Sequence, residues 1–299
     1  ASGLREIGAM AAGVGGAPPA PRRGGRRSVA LAGGYADHVL GLATAVCPPL
    51  RVAIDCGNGM EAAGLETILA RLPLEVERLY FEPDGRFPNH EADPLKEENL
   101  RDVCDAVKRV GADFGVAFDG DADRAVFVDE AGRPISSDLV TGLLAAPLLR
   151  RTPGGRVLYD LRSSRATREA IEAAGGVAEM CRVGHSFVKA AMRESGAIFG
   201  GELSGHFYFR FPGGLVADDG CAAFVALLDV LATERRPLSE LVAPLRRYHA
   251  TGEINRRVAD VPALLRAIEA EYGPGGTVSR MDGLRVEYPE WWFSLRPSN

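Results

Sequence analysis

The sequence predicts an α/β protein with two similar α/β domains, whose mixed sheets are covered by helices, plus an incomplete, smaller α+β domain at the C-terminal end. Short apolar runs typical of strands alternate with segments that carry apolar residues at helical spacing, and Gly-marked turns join them. The runs RVAID at 51–55 and RVLYD at 156–160 each open a unit with the same order of elements. A length of 299 residues leaves room for about two average domains.

The first 34 residues carry few signals of regular structure. An Ala/Pro-rich run at 17–21 and the arginines after it are typical of a linker or a loosely held tail. No aromatic residue lies among these arginines, which favours a solvated surface over a nucleic-acid-binding arm. We therefore expect residues 1–34 to be a linker or the tail of another domain.

The elements of the first α/β domain follow from the spacing of apolar residues. The predicted order is a helix at 35–46, a strand at 51–55, a helix at 61–72, a strand at 74–80, a helix at 96–110, and strands at 113–118 and 125–128. A polar loop rich in Pro, Gly and Asn, at 82–94, separates the second strand from the third helix.

The same alternation then restarts. The predicted order is a strand at 156–160, a helix at 164–174, a strand at 176–181, a helix at 186–194, a strand at 197–200 and a long apolar helix at 217–232. The last part contains a helix at 261–272 and strands around 277, 284–287 and 292–295. This third unit is too short for another full α/β domain.

The composition excludes several classes of protein. Hydrophobic residues make up 46% and charged residues 25%, the ordinary mix of a globular protein. The net charge of −5 gives no whole-chain field that would attract nucleic acid. The apolar stretches at 139–149 and 221–231 fall short of the roughly 18 residues that a membrane span needs. Five scattered cysteines fit neither a zinc site nor a disulfide framework and favour a reducing cytoplasm.

Three carboxylates at alternate positions, Asp119, Asp121 and Asp123, lie between two predicted strands. Anions this close repel one another, and a hard divalent cation would compensate their charge. The two residues between them are small, so the loop can fold until the carboxylate oxygens converge. Arg124 follows directly and is placed to bind a phosphate oxygen beside the metal. The loop at 119–124 therefore predicts a site for a metal ion and a phosphate.

Three other interpretations of this loop remain. The aspartates and Glu130 occupy ligand positions of an EF-hand Ca²⁺ loop, but Arg124 stands where that loop needs Gly, and the flanks read as strands. Asp119 could instead be the aspartyl-phosphate nucleophile of a phosphohydrolase. The loop could also be a solvated acidic turn without a ligand.

A second Gly-rich loop, at 200–206, contains Glu202, Ser204 and His206. A carboxylate, a hydroxyl and an imidazole together could hold a polyol, although a plain hairpin is an equally good interpretation. His185 precedes a predicted helix and is either a cap-region residue or a group that moves a proton at neutral pH. The turn Gly-Asn-Gly at 57–59 could hold an anion on its amides, but a structural turn is favoured.

These motifs together resemble the α-D-phosphohexomutase family, in particular its bacterial phosphomannomutase/phosphoglucomutase members. The resemblance runs from about residue 35 onward and covers nearly the whole chain. Its motifs, in order, are IDCGNG (54–59), DGRFPNHEADPLKEENL (84–100), FDGDADR (118–124), VGHSFVK (183–189), GGELSGH (200–206), ADDG (217–220) and DGLRVEYPEWWFSLRPSN (282–299). The metal loop and the GELSGH loop are highly specific as a pair.

The resemblance implies a role for each candidate residue. Two would be catalytic: Arg124 would contact the reactive phosphate, and His185 would assist proton transfer. The Mg²⁺ ligands would be Asp119, Asp121 and Asp123. The residues that hold the sugar hydroxyls would be Glu202, Ser204 and His206. The residues that grip the phosphate that is not transferred would be Arg296, Ser298 and Asn299.

The implied activity is intramolecular phosphotransfer. A phosphohexomutase interconverts hexose 1-phosphate and hexose 6-phosphate, here of mannose and/or glucose, through a phosphoserine and a 1,6-bisphosphate intermediate. The expected partners are therefore the hexose phosphates and hexose 1,6-bisphosphate, with no nucleic acid and no membrane. A cytoplasmic monomer or homodimer is expected.

One departure from the family pattern matters. The family's first domain carries the phosphoserine in a Thr-Ala-Ser-His-Asn-Pro-like loop, and these 299 residues contain no such loop. We expect the tail of that domain or a linker at 1–34, a metal-binding domain at 35–151, a sugar-binding domain at 152–250 and a truncated phosphate-binding domain at 251–299. The chain alone is expected to be inactive. The alternatives are a non-catalytic sugar-phosphate-binding fragment and a metal-dependent phosphohydrolase.

Overall fold

The computed structural model describes residues 2–16, 22 and 24–297. The chain forms two compact units, Ala1–Leu31 and Ala32–Asn299. The first unit contains helix α1, Ser2–Gly13, where the sequence predicted little regular structure. Its Leu, Met, Ala, Glu and Arg residues are strong helix formers, and they outweigh the glycines of this segment. The Ala/Pro-rich run at 17–21 lies outside the described residues.

The second unit begins with a four-stranded α/β sheet. Its strands are β1 Leu50–Asp55, β2 Leu74–Leu79, β3 Phe114–Phe118 and β4 Ala125–Asp129. Its helices are α2 Ala32–Leu40, α3 Glu61–Leu69, α4 Arg101–Val110 and α5 Ser137–Arg151. The strand order is β2-β1-β3-β4, with β1 parallel to β2 and β3, and β4 antiparallel to β3. The β3–β4 connection is therefore a hairpin at the carboxyl end of a buried parallel strand.

Three helices of this sheet differ from their predicted bounds. Helix α3 ends at Leu69 rather than at residue 72, and the other two differ for local reasons. Helix α2 ends at Leu40, short of the predicted residue 46, because the amides of Thr44 and Ala45 donate instead to the buried Asp229 carboxylate, both at 2.7 Å. The predicted helix at 96–110 opens with a 3-10 turn, and only then becomes α4. Helix α4 ends as expected at Gly111, whose φ of 64° suits a residue without a Cβ.

A second sheet repeats this plan. Its strands are β5 Arg156–Asp160, β6 Val177–Cys181, β7 Phe199–Gly201, β8 Phe207–Arg210 and β9 Val216–Asp218. Its helices are α6 Arg165–Ala173, α7 His185–Ser195, α8 Gly220–Glu234 and α9 Leu238–Val242. The order is β6-β5-β7-β8-β9, with β5 parallel to β6 and β7 and the remaining pairs antiparallel. The predicted helix at 217–232 begins later, at Gly220, because β9 precedes it and Asp219 caps it by accepting from the Ala222 amide at 2.8 Å.

The two sheets share one hydrophobic core. A single cluster of buried side chains includes Val52 and Phe114 of the first sheet and Val157 and Phe199 of the second. Helix α8 contributes to this cluster and is buried on all sides from its first residue through Ala232. Among the described residues, α8 and every other helix lack the combination of length and apolar character that a bilayer span requires. The loops at the carboxyl ends of the two sheets are thus attached to one packed body.

The last part of the chain forms a small α+β layer. It consists of α10 Val261–Tyr272, β10 Thr277–Ser279, β11 Leu284–Glu287 and β12 Trp292–Leu295. The three strands form an antiparallel sheet in sequence order. Arg165 of α6 donates to Glu287 at 3.0 Å, and Arg285 donates to the Leu161 carbonyl at 2.6 Å, so polar contacts attach this layer to the second sheet. The predicted fold class is confirmed, whereas the exact domain boundaries stay a prediction.

We expect the stability of the chain to fall as the pH rises through the titration of Glu61. This first residue of α3 is 4% exposed, and its Oε1 accepts a hydrogen bond from Cys221 Sγ at 2.6 Å. Burial raises the pKa of Glu61 to about 8, so the folded chain keeps a proton that the unfolded chain releases at about 4.3. Between these two values the free energy of unfolding decreases with pH, by up to about 1.4 kcal/mol per unit.

The substitution Glu61→Gln should remove this decrease, because the amide does not ionise. Urea unfolding across this pH range measures it, and Glu66→Gln, on the half-exposed side of the same helix, is the matched control. Equal slopes for wild type and Glu61→Gln would contradict the assignment.

Candidate active site

The three aspartates of the metal loop converge. The loop connects β3 to β4, and one carboxylate oxygen from each of Asp119, Asp121 and Asp123 lies within 4.8 Å of the others. Ala122 adopts a left-handed conformation with a φ of 69°. Its carbonyl accepts from the Gly220 amide at 3.0 Å, and this hydrogen bond stabilises the turn. A Cβ on Gly220 would lie 2.9 Å from that carbonyl, so this close approach needs glycine.

Burial and neighbouring charges shift the pKa values of these carboxylates in opposite directions. Asp119 is 2% exposed, and desolvation raises its pKa although Arg124 donates to it. The neighbouring His206 imidazole lowers the pKa of Asp123. Asp121 is exposed. A cation placed among the three oxygens would stabilise the charged form of the buried carboxylate, and this donor set is the one that Mg²⁺ prefers.

Arg124 is held between two carboxylates. Its Nε donates to Asp119 Oδ2 at 2.7 Å, and an Nη donates to Asp93 Oδ1 at 3.1 Å. Its side chain is 22% exposed, so part of the guanidinium reaches the surface. Asp93 belongs to the DGRFPNHEADP motif, but no local pattern singled it out as a site residue. Since the carboxylate lies 31 residues away along the chain, its position beside Arg124 depends on the fold of the intervening loop.

The Gly-Asn-Gly turn is structural, as the sequence favoured. The Gly57 amide donates to Asp55 Oδ1 at 2.8 Å, the Asn58 amide to the Tyr80 carbonyl at 2.9 Å, and the Gly59 amide to the Cys56 carbonyl at 2.7 Å. These donors are therefore used within the protein rather than offered to an anion. The following residue, Met60, donates its amide to the Gly120 carbonyl at 3.1 Å, so the turn supports the metal loop.

A buried ion pair attaches the loop at 82–94 to the first sheet. His90 Nε2 lies 3.0 Å from Asp55 Oδ2 at the end of β1, and Asp55 is fully buried. The hydrogen bond with Asp55 raises the pKa of His90 to about 9. The imidazole is therefore charged at neutral pH, and the loop that carries Asp93 is held in place by this charge.

We expect the His90–Asp55 pair to lose its stabilising effect at alkaline pH. The folded pKa of about 9 lies above the unfolded value of about 6.5, so the contribution is complete below about 6.5 and disappears as the pH rises through about 9. His90→Gln should cost about 1 kcal/mol near neutral pH, after allowance for solvent screening, and nearly nothing near pH 10. Chemical denaturation at the two pH values measures the difference. A loss of stability that does not change with pH would show that the packing of the imidazole, rather than its charge, stabilises the fold.

The second loop brings its three polar residues together. Ser204 Oγ lies 2.9 Å from His206 Nδ1, and His206 Nε2 lies 3.5 Å from Asp123 Oδ1 of the metal loop. Glu202 is 1% exposed, and its two oxygens accept from the Gly184 amide at 2.7 Å and from the Tyr208 hydroxyl. Glu202 is thus placed to support the loop, and its predicted contact with a sugar hydroxyl stays a prediction.

The two loops are hydrogen-bonded to each other. The Ala125 amide donates to the Gly205 carbonyl at 3.0 Å, and Arg124 and His206 form an isolated antiparallel bridge. Gly205 has a φ of 87°, and a Cβ there would lie 3.2 Å from the Ala125 carbonyl oxygen. The aspartates, the arginine and the imidazole therefore form one surface built from both sheets.

His185 lies beside this surface at the start of α7. Its ring centroid is 6.2 Å from that of His206, and its side chain is 60% exposed. Lys189, one turn further along α7, contacts His185 Nδ1 at 3.3 Å and Asp218 at 2.9 Å. Lys189 and Asp218 belong to the VGHSFVK and ADDG motifs, but no local pattern singled them out, because they come together only in the folded chain.

Arg296 follows β12 in the small C-terminal layer. An Nη of Arg296 lies 3.8 Å from Asp282 Oδ2, and the Val183 amide donates to the same oxygen at 3.4 Å. Asp282 thereby connects Arg296 to the segment that leads into His185. Ser298 and Asn299, the other predicted phosphate-binding residues, lie outside the described residues.

This geometry defines a class of protein: an α/β protein with a carboxylate metal loop next to basic and hydroxyl-bearing groups, as a site for a phosphorylated ligand requires. The EF-hand interpretation is wrong, because strands rather than helices flank the loop. Asp119 is buried and bonded to Arg124, which disfavours a fully solvated acidic turn, whereas Asp121 is exposed.

Comparison with known proteins identifies the family. Models of the phosphoglucomutase/phosphomannomutase α/β/α domains II and III match residues 34–132 and 136–248. The chain is 37% identical to the phosphomannomutase of Salmonella typhimurium, with all of this chain and 67% of that protein covered. The chain belongs to the α-D-phosphohexomutase family.

Solved structures agree with this relationship. A phosphoglucomutase/phosphomannomutase family protein of Burkholderia thailandensis is 35% identical with a TM-score of 0.83, over 91% of this chain and 58% of that chain. An N-acetylphosphoglucosamine mutase of Aspergillus fumigatus, solved with GlcNAc-6P and magnesium, shares the fold at 15% identity and a TM-score of 0.54, over 84% of this chain and 64% of that one. The chain spans 59% of the length of two curated relatives that are 38% identical to it.

Proposed function

We propose that the chain serves in a phosphohexomutase that interconverts hexose 1-phosphate and hexose 6-phosphate, of mannose and/or glucose, through a phosphoserine and a 1,6-bisphosphate. The observation that carries this proposal is the junction of the two loops, at which Asp123 of the metal loop lies 3.5 Å from His206 of the GELSGH loop. Membership in the family supports it further. The phosphoserine loop does not occur within these 299 residues, so the reaction also needs residues outside them.

The residues of the metal loop fit Mg²⁺. Asp119, Asp121 and Asp123 would hold the ion, and a bound cation would offset the desolvation that raises the pKa of the buried Asp119. When bound, the ion supplies charge that offsets the phosphoryl oxygens in transfer. The magnesium found with the Aspergillus relative supports this choice of metal.

The remaining candidate residues act on the ligand itself. Arg124 would contact the reactive phosphate with the part of its guanidinium that reaches the surface. His185, whose ring centroid lies 6.2 Å from that of His206, would assist proton transfer at a ligand oxygen. Glu202, Ser204 and His206 would recognise the sugar hydroxyls. Arg296, with Ser298 and Asn299, would bind the phosphate that is not transferred.

We also propose a cytoplasmic location, as a monomer or homodimer. All five cysteines of the chain are free, and four of them are buried in reduced form. This use of cysteine is typical of a reducing compartment.

Calorimetric titration with glucose 1-phosphate and mannose 1-phosphate tests the proposed function. With Mg²⁺ present, the chain should bind both and should not bind free glucose, and it should not turn over either phosphate. Arg124→Met should weaken binding about ten- to hundredfold, the effect of a lost charge-assisted pair. Arg109→Met, which removes a half-exposed arginine of α4 that pairs with Glu77, is the matched control.

Two outcomes would favour the alternatives. Binding that survives Asp121→Asn and Arg124→Met unchanged would indicate a sugar-phosphate site away from the metal loop. A fluoride phosphate analogue trapped on Asp119 would indicate a phosphohydrolase.

A further inference from the structure

Lys189 makes three contacts at the edge of the candidate site. Its Nζ lies 2.9 and 3.2 Å from the two carboxylate oxygens of Asp218, and 3.3 Å from Nδ1 of His185. The side chain of Lys189 is 22% exposed and that of Asp218 is 8% exposed. The two carboxylate oxygens and the imidazole nitrogen thus surround one largely buried ammonium.

The chemistry of an ammonium group fixes the direction of these hydrogen bonds. Lysine carries three N–H donors and no acceptor, so each of the three contacts has Lys189 as the donor. An imidazole nitrogen that accepts a hydrogen bond carries no proton. With Nδ1 accepting from Lys189, the proton of a neutral His185 ring lies on Nε2, the nitrogen away from Lys189.

The other groups that face His185 are consistent with this state. Asp218 Oδ2 lies 3.8 Å from Nδ1, beyond hydrogen-bond distance, and both oxygens of this carboxylate accept from Lys189. The His206 ring, stacked at 6.2 Å, bonds through Nδ1 to Ser204 instead.

We propose that Lys189 is a positioning residue that, together with Asp218, holds His185 as a hydrogen-bond donor through Nε2. In this state His185 offers a proton to a ligand oxygen and cannot accept one at Nε2. We expect that an arginine would not replace the lysine, because the donors of a guanidinium are fixed in one plane, whereas an ammonium is compact and its three donors rotate. The chain has only three lysines, Lys96, Lys108 and Lys189, among 35 basic residues, and one of them occupies this position.

The identity of the ligand rests on the proposed function, whereas the tautomer does not. Long-range ¹H–¹⁵N correlation NMR of the chain without ligand, at a pH near 8 where ordinary imidazoles are neutral, reads the two nitrogens of His185 directly. We expect wild type to show a proton on Nε2 and an unprotonated Nδ1, with no averaging between tautomers.

Lys189→Met should move both nitrogen shifts of His185 toward the average of two exchanging tautomers, and Lys189→Arg should not restore them. Lys108→Met, which removes a half-exposed lysine of α4, is the control and should leave His185 unchanged. A proton on Nδ1 in wild type, or a spectrum unaffected by Lys189→Met in a chain with native circular dichroism, would overturn the proposal.

A double-mutant cycle tests whether Lys189 acts through His185. Lys189→Met should weaken binding of glucose 1-phosphate roughly tenfold in wild type and by less than about twofold in a His185→Phe background. Additive losses would mean that Lys189 has a separate, merely structural role. If glucose 1-phosphate does not bind at all, the proposed function fails, and the NMR result alone decides the state of His185.

Discussion

Asp121→Asn should lower the affinity of the chain for Mg²⁺ by at least about tenfold. Asp121 is the exposed member of the three converging carboxylates, so its replacement by an isosteric amide removes one negative charge without opening a cavity in the core. The remaining pair includes Asp119, which already shares its charge with Arg124 at 2.7 Å. The Asp121→Asn substitution should therefore weaken the attraction of the loop for a cation by more than the loss of one carboxylate in three.

Titration calorimetry with Mg²⁺, with Mn²⁺ as a spectroscopic substitute, measures this loss. Asp105→Asn, an exposed aspartate of α4 that lies near Lys108, removes the same charge outside the loop and should leave the affinity unchanged. Unaltered Mg²⁺ binding by Asp121→Asn would place the ion elsewhere. Thermal unfolding without metal should differ little among the three chains, because neither aspartate is buried.

Gly201→Ala should destabilise the chain strongly. Gly201 ends β7, and an ideal Cβ there would lie 2.0 Å from Thr141 Oγ1, 2.7 Å from Cγ2 and 2.8 Å from Cβ of the same residue. Thr141 is fully buried in α5, and its hydroxyl donates to the Ser137 carbonyl at 2.9 Å, so it has no free space to move into. Overpacking of this kind costs about 1–3 kcal/mol, and the neighbouring Glu202 should shift with the strand.

Urea denaturation measures the effect of Gly201→Ala, and a second substitution identifies its cause. In a Thr141→Gly background the added methyl group has room, so its cost should shrink to under about 1 kcal/mol. Gly85→Ala is the matched control, since a Cβ at Gly85 meets no atom within 4 Å. An equal cost in both backgrounds would show that backbone conformation, rather than the contact with Thr141, requires the glycine.

Local patterns predicted the parts of the site that are local in sequence. The three aspartates of the metal loop lie within five residues of one another, and a hairpin brings their oxygens together without help from distant segments. The GELSGH loop was recognisable for the same reason. Helix α10 was predicted at 261–272, the bounds that the structure gives. Asp260, directly before it, caps the helix by accepting from the Ala263 amide.

Contacts between distant segments were not predictable from local patterns. Lys189 and Asp218 are 29 residues apart, and Arg124 and Asp93 are 31 apart, so each pair requires the sheet order before its distance is known. Strands β8 and β9 were missed because β8 is buried on both faces and shows no alternation, and because the three residues of β9 run directly into an apolar helix. The ends of α2 and α8 depend on the single carboxylates of Asp229 and Asp219, which no periodicity reveals.

The core shared by the two sheets has a consequence for ligand recognition. Because α5 and α8 pack in that core, and because the Ala125 amide bonds to the Gly205 carbonyl, the relative alignment of the two loops is established when the chain folds. Little orientational entropy is then lost at this junction when a ligand arrives, and affinity gains accordingly. The small C-terminal layer is attached to the second sheet through the contacts of Arg165 and Arg285. Its alignment with that sheet should therefore respond more to ionic strength than the alignment of the two loops does.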